Sequence, residues 1–240
     1  MSGRGGRGTS PDEGADGLAI AGLERMSTVD WPGRLVATVF LQGCPWRCTY
    51  CHNSAILDPR TPGVVAWQEV RDLLGRRVGL LDGVVLSGGE PTRQPAIVAA
   101  AREVRAAGFG VGLHTAGAYP RALAQVLPYV DWVGLDVKAP AARYRDVVRV
   151  GGPTTAAAAV EASLDLVLAA GVDLQVRTTV DPTVLTEEDV AGLVERLRAR
   201  GVREHVLQTV RPDGTSPAYR SALAAAGGPR PGWDVGARRG

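Results

Sequence analysis

Cys44, Cys48 and Cys51 fall within eight positions of a 240-residue chain that has no other cysteine. Four chemistries use such a cluster. A disulfide would pair two thiols, leave one over, and belongs to an oxidising compartment. Zinc accepts three thiolates with His52. Adjacent Cys51 and His52 would then have to turn onto one ion, and structural zinc normally draws on two separated knuckles. The stretch Cys48-Thr49-Tyr50-Cys51-His52 matches the attachment pattern of c-type haem, which leaves Cys44 unexplained. An iron–sulfur cubane held by three thiolates keeps one iron without a protein ligand. That open position can take a substrate or cofactor, as in catalytic metal centres. Three cysteines in one loop, with no fourth in the chain, suit this last reading best.

Other chemistry-bearing residues gather where apolar runs end. Ser87-Gly88-Gly89-Glu90-Pro91 follows residues 83–86, and His114-Thr115-Ala116-Gly117 follows 110–113. Asp136-Val137-Lys138 closes the run begun at Trp132, Arg177-Thr178-Thr179 lies within 173–180, and Gln208 to Pro212 closes a sixth run. Lys138 is the only lysine; the other 26 of 27 cationic side chains are arginine. Asp136 and Lys138, two apart, face one side of a strand.

The elements that must position these residues alternate. Residues 35–41, 83–86, 110–113, 132–137, 173–180 and 204–210 are short and apolar with β-branched residues, as buried strands are. Helical spacing occupies 67–76, 95–107, 121–127, 157–170 and 187–200, and a last helix is expected over 219–226. Thr186 is placed as an N-cap and Gly201 just past a helix end. About six β-α units imply parallel pairing, because each helix returns the chain across the sheet. A doubly wound open sheet and a complete or partial barrel both fit. Either puts ligands at the carboxyl ends of the strands, where the polar residues fall.

With 45% hydrophobic and 22% charged residues and a net charge of +2, one domain over 17–226 is expected, between disordered tails at 1–16 and 227–240. No apolar run is long enough to span a membrane and no signal-peptide pattern opens the chain, so a cytoplasmic location is expected. The small net charge gives no reason to invoke nucleic acid or an anionic membrane as partner.

The spacing C-x3-C-x2-C, with Tyr50 before the third cysteine, resembles the signature of radical S-adenosylmethionine (SAM) enzymes. Gly88-Gly89-Glu90-Pro91 is similar to their second motif. Residues 27–33, Phe40-Leu41-Gln42-Gly43-Cys44, Tyr50-Cys51-His52-Asn53 and Asp136-Val137-Lys138-Ala139-Pro140 resemble activating proteins of anaerobic ribonucleoside-triphosphate reductase, within the glycyl-radical-enzyme activases. The resemblance covers roughly residues 17 to 215.

It implies a partial (β/α)6 TIM-like barrel of the radical SAM type, consistent with the counted units. It implies a [4Fe–4S] cluster on Cys44, Cys48 and Cys51, with S-adenosylmethionine on the open iron. Reductive cleavage would give methionine and a 5′-deoxyadenosyl radical, which takes a hydrogen atom from a glycine of a partner enzyme. The implied partners are anaerobic ribonucleoside-triphosphate reductase and a flavodoxin- or ferredoxin-type electron donor. Two other substrates stay open: a different glycyl radical enzyme such as pyruvate formate-lyase, or a small molecule, as in 7-carboxy-7-deazaguanine synthase.

Tyr50, Gly88, Gly89, Glu90, Thr115, Asp136, Lys138 and Arg177 are the expected cofactor contacts. Each has a plainer role. Tyr50 would pack the loop, Gly88 and Gly89 make a turn, Glu90 cap a helix, and Asp136 pair with Lys138 or Arg177. Trp31 and Trp132 read as core, His205 as a strand residue without a role, and His52 as structural. Related activases often place an aspartate where this chain has His114, and in the pyruvate formate-lyase activase it helps hold a monovalent cation.

Overall fold

The computed structural model describes residues 14–150 and 155–229; of the tails expected at 1–16 and 227–240, residues 1–13 and 230–240 lie outside them. Seven strands form one sheet in sequence order: β1 (Ile20–Ser27), β2 (Val36–Leu41), β3 (Gly83–Gly88), β4 (Gly110–Thr115), β5 (Trp132–Asp136), β6 (Asp173–Val180) and β7 (His205–Thr209). From β2 to β7 every pair is parallel. Strand β1 is antiparallel to β2, and β1 and β7 are the two ends of the order, so the barrel is partial.

Helices α1 (Trp67–Arg76), α2 (Ile97–Ala106), α3 (Pro120–Val126), α4 (Tyr144–Val148), α5 (Thr155–Ala170), α6 (Glu187–Ala199) and α7 (Pro217–Ala225) fill the connections. The predicted helices occur within a few residues of their expected bounds. Thr186 caps α6: its hydroxyl accepts from Asp189 N at 3.2 Å while its own N–H donates to the Asp189 carboxylate at 3.1 Å. Among the described residues no helix is long and apolar enough to cross a membrane.

Strand β1 and helix α4 were not expected from the sequence. Strand β1 is an edge strand with register shifts at both ends, and only its terminal residues are buried. The domain also begins earlier than residue 17. Ala15 is fully buried, and Asp16 pairs with Arg71 at 2.7 Å.

Alternate strand residues face two different cores. Val39, Val84, Leu113 and Leu135 join the large cluster under the helices. Val36, Val85 and Trp132 join Trp31 in a separate small cluster. Trp31 comes from the β1–β2 connection and stacks on Trp132 with ring centroids 5.7 Å apart. A Cβ at Gly83, Gly110 or Gly112 would come within 3.1, 3.2 and 2.9 Å of the Trp31 ring. These strand glycines are therefore the space that Trp31 fills.

Trp31→Ala should destabilise the fold by about 3 kcal/mol, at the low end for truncating a buried aromatic, because the site borders a water-accessible hollow. Chemical denaturation checks it, and a loss below about 1 kcal/mol would show that Trp31 does not fill the floor.

Candidate cluster and cofactor site

Register sets the two key loops side by side. Leu41, the last residue of β2, lies opposite Gly88, the last of β3. The three-cysteine loop follows the first strand and the Gly-Gly-Glu-Pro loop follows the second. Their backbones are hydrogen-bonded, Gly89 N to Leu41 O and Glu90 N to Gly43 O, both at 2.9 Å. A Cβ at Gly89 would sit 2.3 Å from Gly43 O, and one at Gly88 would sit 2.1 Å from Leu41 N. The two glycines give room to the cysteine loop itself.

That loop is anchored from several sides. Gly43 N and Cys44 N donate to Ile56 O and Leu57 O at 2.8 and 3.1 Å. Arg47 N and Thr49 N donate to Val148 O and Val147 O at the end of α4, each at 3.0 Å. Trp46 packs edge-on against Tyr144 at 5.8 Å.

All three cysteines are free thiols and partly exposed. Burial pushes each thiol up, Cys44 to about 12, while the Lys138 charge opposes this at all three. The protein therefore leaves the thiols protonated, and a bound cationic metal centre would have to supply their deprotonation. Among the described residues no three His, Cys, Asp or Glu side chains converge on a single-ion position. A four-iron cluster needs no such convergence, because each thiolate takes a different iron.

The cleft above β2–β7 has a volume of about 450 Å³, and the three cysteines, Tyr50, Gly88, Gly89, Thr115, Asp136, Lys138 and Arg177 all line it. A larger hollow of about 1110 Å³ opens at the opposite, amino ends of the strands. It contains no cysteine, and two of its arginines are paired, Arg34 with Asp82 and Arg105 with Asp131. Chemistry in a βα barrel belongs to the carboxyl ends, so the smaller cleft is the candidate site.

Asp136 lies opposite Arg177 in the sheet register. Arg177 Nη2 and Nε stand 2.9 and 3.0 Å from Asp136 Oδ1, and Lys138 Nζ stands 3.2 Å from Oδ2. Burial would push the Asp136 carboxyl up, but the two cations outweigh it and hold it at about 2. Burial likewise works against the Lys138 ammonium, yet Asp136 keeps its pKa well above the ordinary value. One carboxylate between two cations leaves the trio with a net positive charge facing the cleft. The ammonium has one hydrogen-bond partner for its three N–H groups and lies 5.8 Å from the Tyr50 ring centre.

Tyr50 is 5% exposed, and its buried hydroxyl has no hydrogen-bond partner among the described residues. Such an orphan costs free energy. The unpaired tyrosine hydroxyl, the incompletely used ammonium and the three free thiols fit a cluster with an amino-acid-bearing nucleotide beside it.

Glu90, expected among the cofactor contacts, does not line the cleft. It is fully buried. Its Oε1 accepts from Thr92 N, Thr92 Oγ1 and Thr115 Oγ1 at 3.1, 2.5 and 2.7 Å, and its Oε2 from Ala116 N at 2.8 Å. It ties the end of β3 to the end of β4. Thr115 faces the cleft, but its hydroxyl is already spent on Glu90 and on accepting Gly117 N at 3.0 Å.

His114 stands beneath the cationic trio. Burial and the Arg177 charge lower its pKa to about 4, so the ring is neutral. Its Nε2 lies 2.7 Å from Asp30 O and 3.0 Å from Arg177 Nη1, and Ser87 Oγ lies 3.4 Å from Nδ1. With Nε2–H donating to Asp30 O, Nδ1 of the neutral ring is left to accept from Ser87 Oγ, and the Arg177 contact at Nε2 is a close approach rather than a hydrogen bond.

Ser87, Thr179, Gln208 and Arg211, placed at the strand ends by the sequence but given no cofactor role there, also line the cleft. Thr179 follows Arg177 by two in β6, so strand alternation was the available signal for it. His52 also lines the cleft, with its Nδ1 2.9 Å from Asp213 O.

The Radical SAM superfamily model matches residues 38–197. A protein of Methanocaldococcus jannaschii named as a glycyl-radical enzyme activating enzyme is 30% identical over 184 residues, 75% of each chain. The pyruvate formate-lyase-activating enzyme of Clostridium pasteurianum is 32% identical over 124 residues, 50% of this chain and 52% of its own. Among solved structures, anSMEcpe with bound AdoMet aligns with a TM-score of 0.55 at 16% identity, over 71% of this chain and 48% of that one. SuiB of Streptococcus suis bound to precursor peptide SuiA gives 0.54 at 14% identity, over 69% and 37%. These structural likenesses carry the fold alone. The chain thus spans three quarters of one relative and about half of others. Superfamily members use a [4Fe–4S] cluster and S-adenosylmethionine, the two groups that the cleft fits. From the matched region and the extent of the M. jannaschii likeness, the chain belongs to the Radical SAM superfamily, in its glycyl-radical-enzyme activating family.

Proposed function

We propose that the chain activates a glycyl radical enzyme, and that this partner is anaerobic ribonucleoside-triphosphate reductase. The observation that carries the reading is the three-cysteine loop set by register against Gly88-Gly89, with Lys138 and Tyr50 incompletely satisfied beside it. When bound, the cluster and S-adenosylmethionine supply the reductive carbon–sulfur cleavage that makes a hydrogen-abstracting radical. The protein's share is binding, orientation and exclusion of solvent.

In this reading Cys44, Cys48 and Cys51 hold the cluster. The backbone at Gly88-Gly89 faces the methionyl amino group. Lys138, a compact charge on a flexible stem, binds the carboxylate. Tyr50 meets the adenine. Asp136 holds Lys138 and Arg177 apart and charged, and Thr115 and Glu90 fix the wall behind them. A flavodoxin- or ferredoxin-type protein supplies the electron. The strings at residues 27–33 and 136–140 favour the reductase as partner. The named activity of the C. pasteurianum relative favours pyruvate formate-lyase as the second reading.

The deciding experiment is an anaerobic mixture of the reconstituted chain with each candidate glycyl radical enzyme, S-adenosylmethionine and a reductant, read by electron paramagnetic resonance. A glycyl doublet with the reductase is the expected result; a doublet only with pyruvate formate-lyase would transfer the assignment.

Lys138→Ala should weaken S-adenosylmethionine binding roughly 10- to 100-fold, as expected for losing a charge-assisted hydrogen bond, without lowering iron content. Asp136 keeps Arg177 as its partner in that variant. Anaerobic equilibrium dialysis measures it, and an unchanged Kd would return Lys138 to a purely structural role.

A further inference from the structure

Asp181, the residue after β6, is fully buried and does not line the cleft. Its carboxylate draws donors from three separate parts of the chain. Oδ2 accepts from Thr49 Oγ1 at 2.5 Å. Oδ1 accepts from Thr183 N at 3.0 Å, Thr183 Oγ1 at 2.7 Å and Tyr219 Oη at 2.9 Å. Thr49 sits between Cys48 and Cys51, and Tyr219 is in α7.

A carboxylate removed from water needs its donors, since each unmet oxygen lone pair is paid for in desolvation. Among the described residues, Thr49 is the one hydrogen-bond partner of Oδ2. Because the Thr49 N–H also donates to Val147 O at 3.0 Å, this residue is held at both backbone and side chain. It therefore fixes the turn that spaces the second and third cysteines. Tyr219 is 6% exposed. Burial and the neighbouring Asp181 charge push its hydroxyl up, so it remains a donor. Helix α7 begins at residue 217, beyond the 38–197 stretch that matches the superfamily.

We infer that Asp181 is a positioning residue for the three-cysteine loop, and that through Tyr219 it makes α7 part of the apparatus that sets the loop's geometry. The inference rests on the cysteines being the cluster ligands. It adds to that reading a buried strut reaching from the last helix to the middle of the ligand motif. The strut acts through neutral hydroxyl donors, so it sets position without bringing a second charge to the cluster.

Hydrogen exchange by mass spectrometry on the full-length, metal-free chain tests the strut without any cofactor. Thr49→Val keeps the shape and removes the donor; Thr49→Ser keeps the donor. Tyr219→Phe removes the far end. Amides of residues 44–53 should exchange roughly tenfold faster in Thr49→Val and in Tyr219→Phe, and at the wild-type rate in Thr49→Ser. The Tyr219→Phe effect on the loop should vanish in the Thr49→Val background, because the connection runs through one carboxylate.

Reconstituted protein gives a second readout. The g-values and midpoint potential of the reduced cluster should shift in Thr49→Val and return in Thr49→Ser. Unchanged loop exchange in both Thr49→Val and Tyr219→Phe would overturn the inference. So would a Tyr219→Phe effect spread evenly over α2 and α3, which would mean general loosening. A wild-type chain that binds no iron would overturn the cluster reading instead, and the exchange data would still decide the strut.

Discussion

Cys48→Ala protein, reconstituted anaerobically with iron and sulfide, is expected to lose reductive cleavage of S-adenosylmethionine entirely, and Cys44→Ala and Cys51→Ala should do the same. The wild-type chain should hold about four irons, and each variant clearly fewer. The size of the effect follows from the ligand count. Three thiolates already leave one iron open, and removing another ligand exposes a second iron to solvent. No other cysteine exists in the chain, and His52, which lines the same cleft, has its Nδ1 2.9 Å from Asp213 O. His52→Ala is the matching control and should retain iron and cleavage. Equal loss of metal in His52→Ala, with a single zinc bound by the wild-type chain, would reinstate a mononuclear site. Retained cleavage in any cysteine variant would mean that its thiol is not a ligand.

Gly89→Ala is expected to abolish iron incorporation without touching a ligand. The added Cβ would lie 2.3 Å from Gly43 O and 2.6 Å from Gly43 C. Backbone on both sides must then part, which breaks the bond from Glu90 N to Gly43 O and shifts Cys44 with it. A stability loss of about 2–4 kcal/mol is expected, as for other substitutions that force backbone apart. Gly192→Ala serves as the comparison. Its Cβ would meet nothing within 4 Å, and in the body of α6 it should stabilise by up to about 1 kcal/mol. Denaturant titration and iron analysis read both variants. If Gly89→Ala took up iron and unfolded as the wild type does, the two loops would not be locked together as described.

The sequence made the parallel strands legible because they are buried on both faces, which writes continuous apolar runs such as 36–41 and 132–135. It also placed the polar residues at one end, since a strand that stops at Leu41 or Leu86 must turn where the next polar residues stand. Strand β1 was invisible because an edge strand with only its ends buried carries no such run. Pair geometry was half legible. Spacing put Asp136 and Lys138 on one face, but only the inter-strand register brought Arg177 opposite Asp136. The side-chain direction of Glu90 was not legible, because the sequence cannot tell a carboxylate turned toward a ligand from one turned toward Thr92 and Thr115. At the glycines of β3 and β4, nothing local reveals that a tryptophan some fifty or more residues earlier occupies their side-chain space.

An unbroken column of rings and charges rises from that tryptophan. Trp31 stacks on Trp132, Trp132 meets His114 edge-on at 5.4 Å, His114 Nε2 lies 3.0 Å from Arg177, and Arg177 grips Asp136. Damage at the foot of this column would tilt what stands at its top. A mutational screen scored only by nucleotide affinity would therefore flag position 31 as though it touched the ligand, when its whole influence is exerted from the opposite ends of the strands.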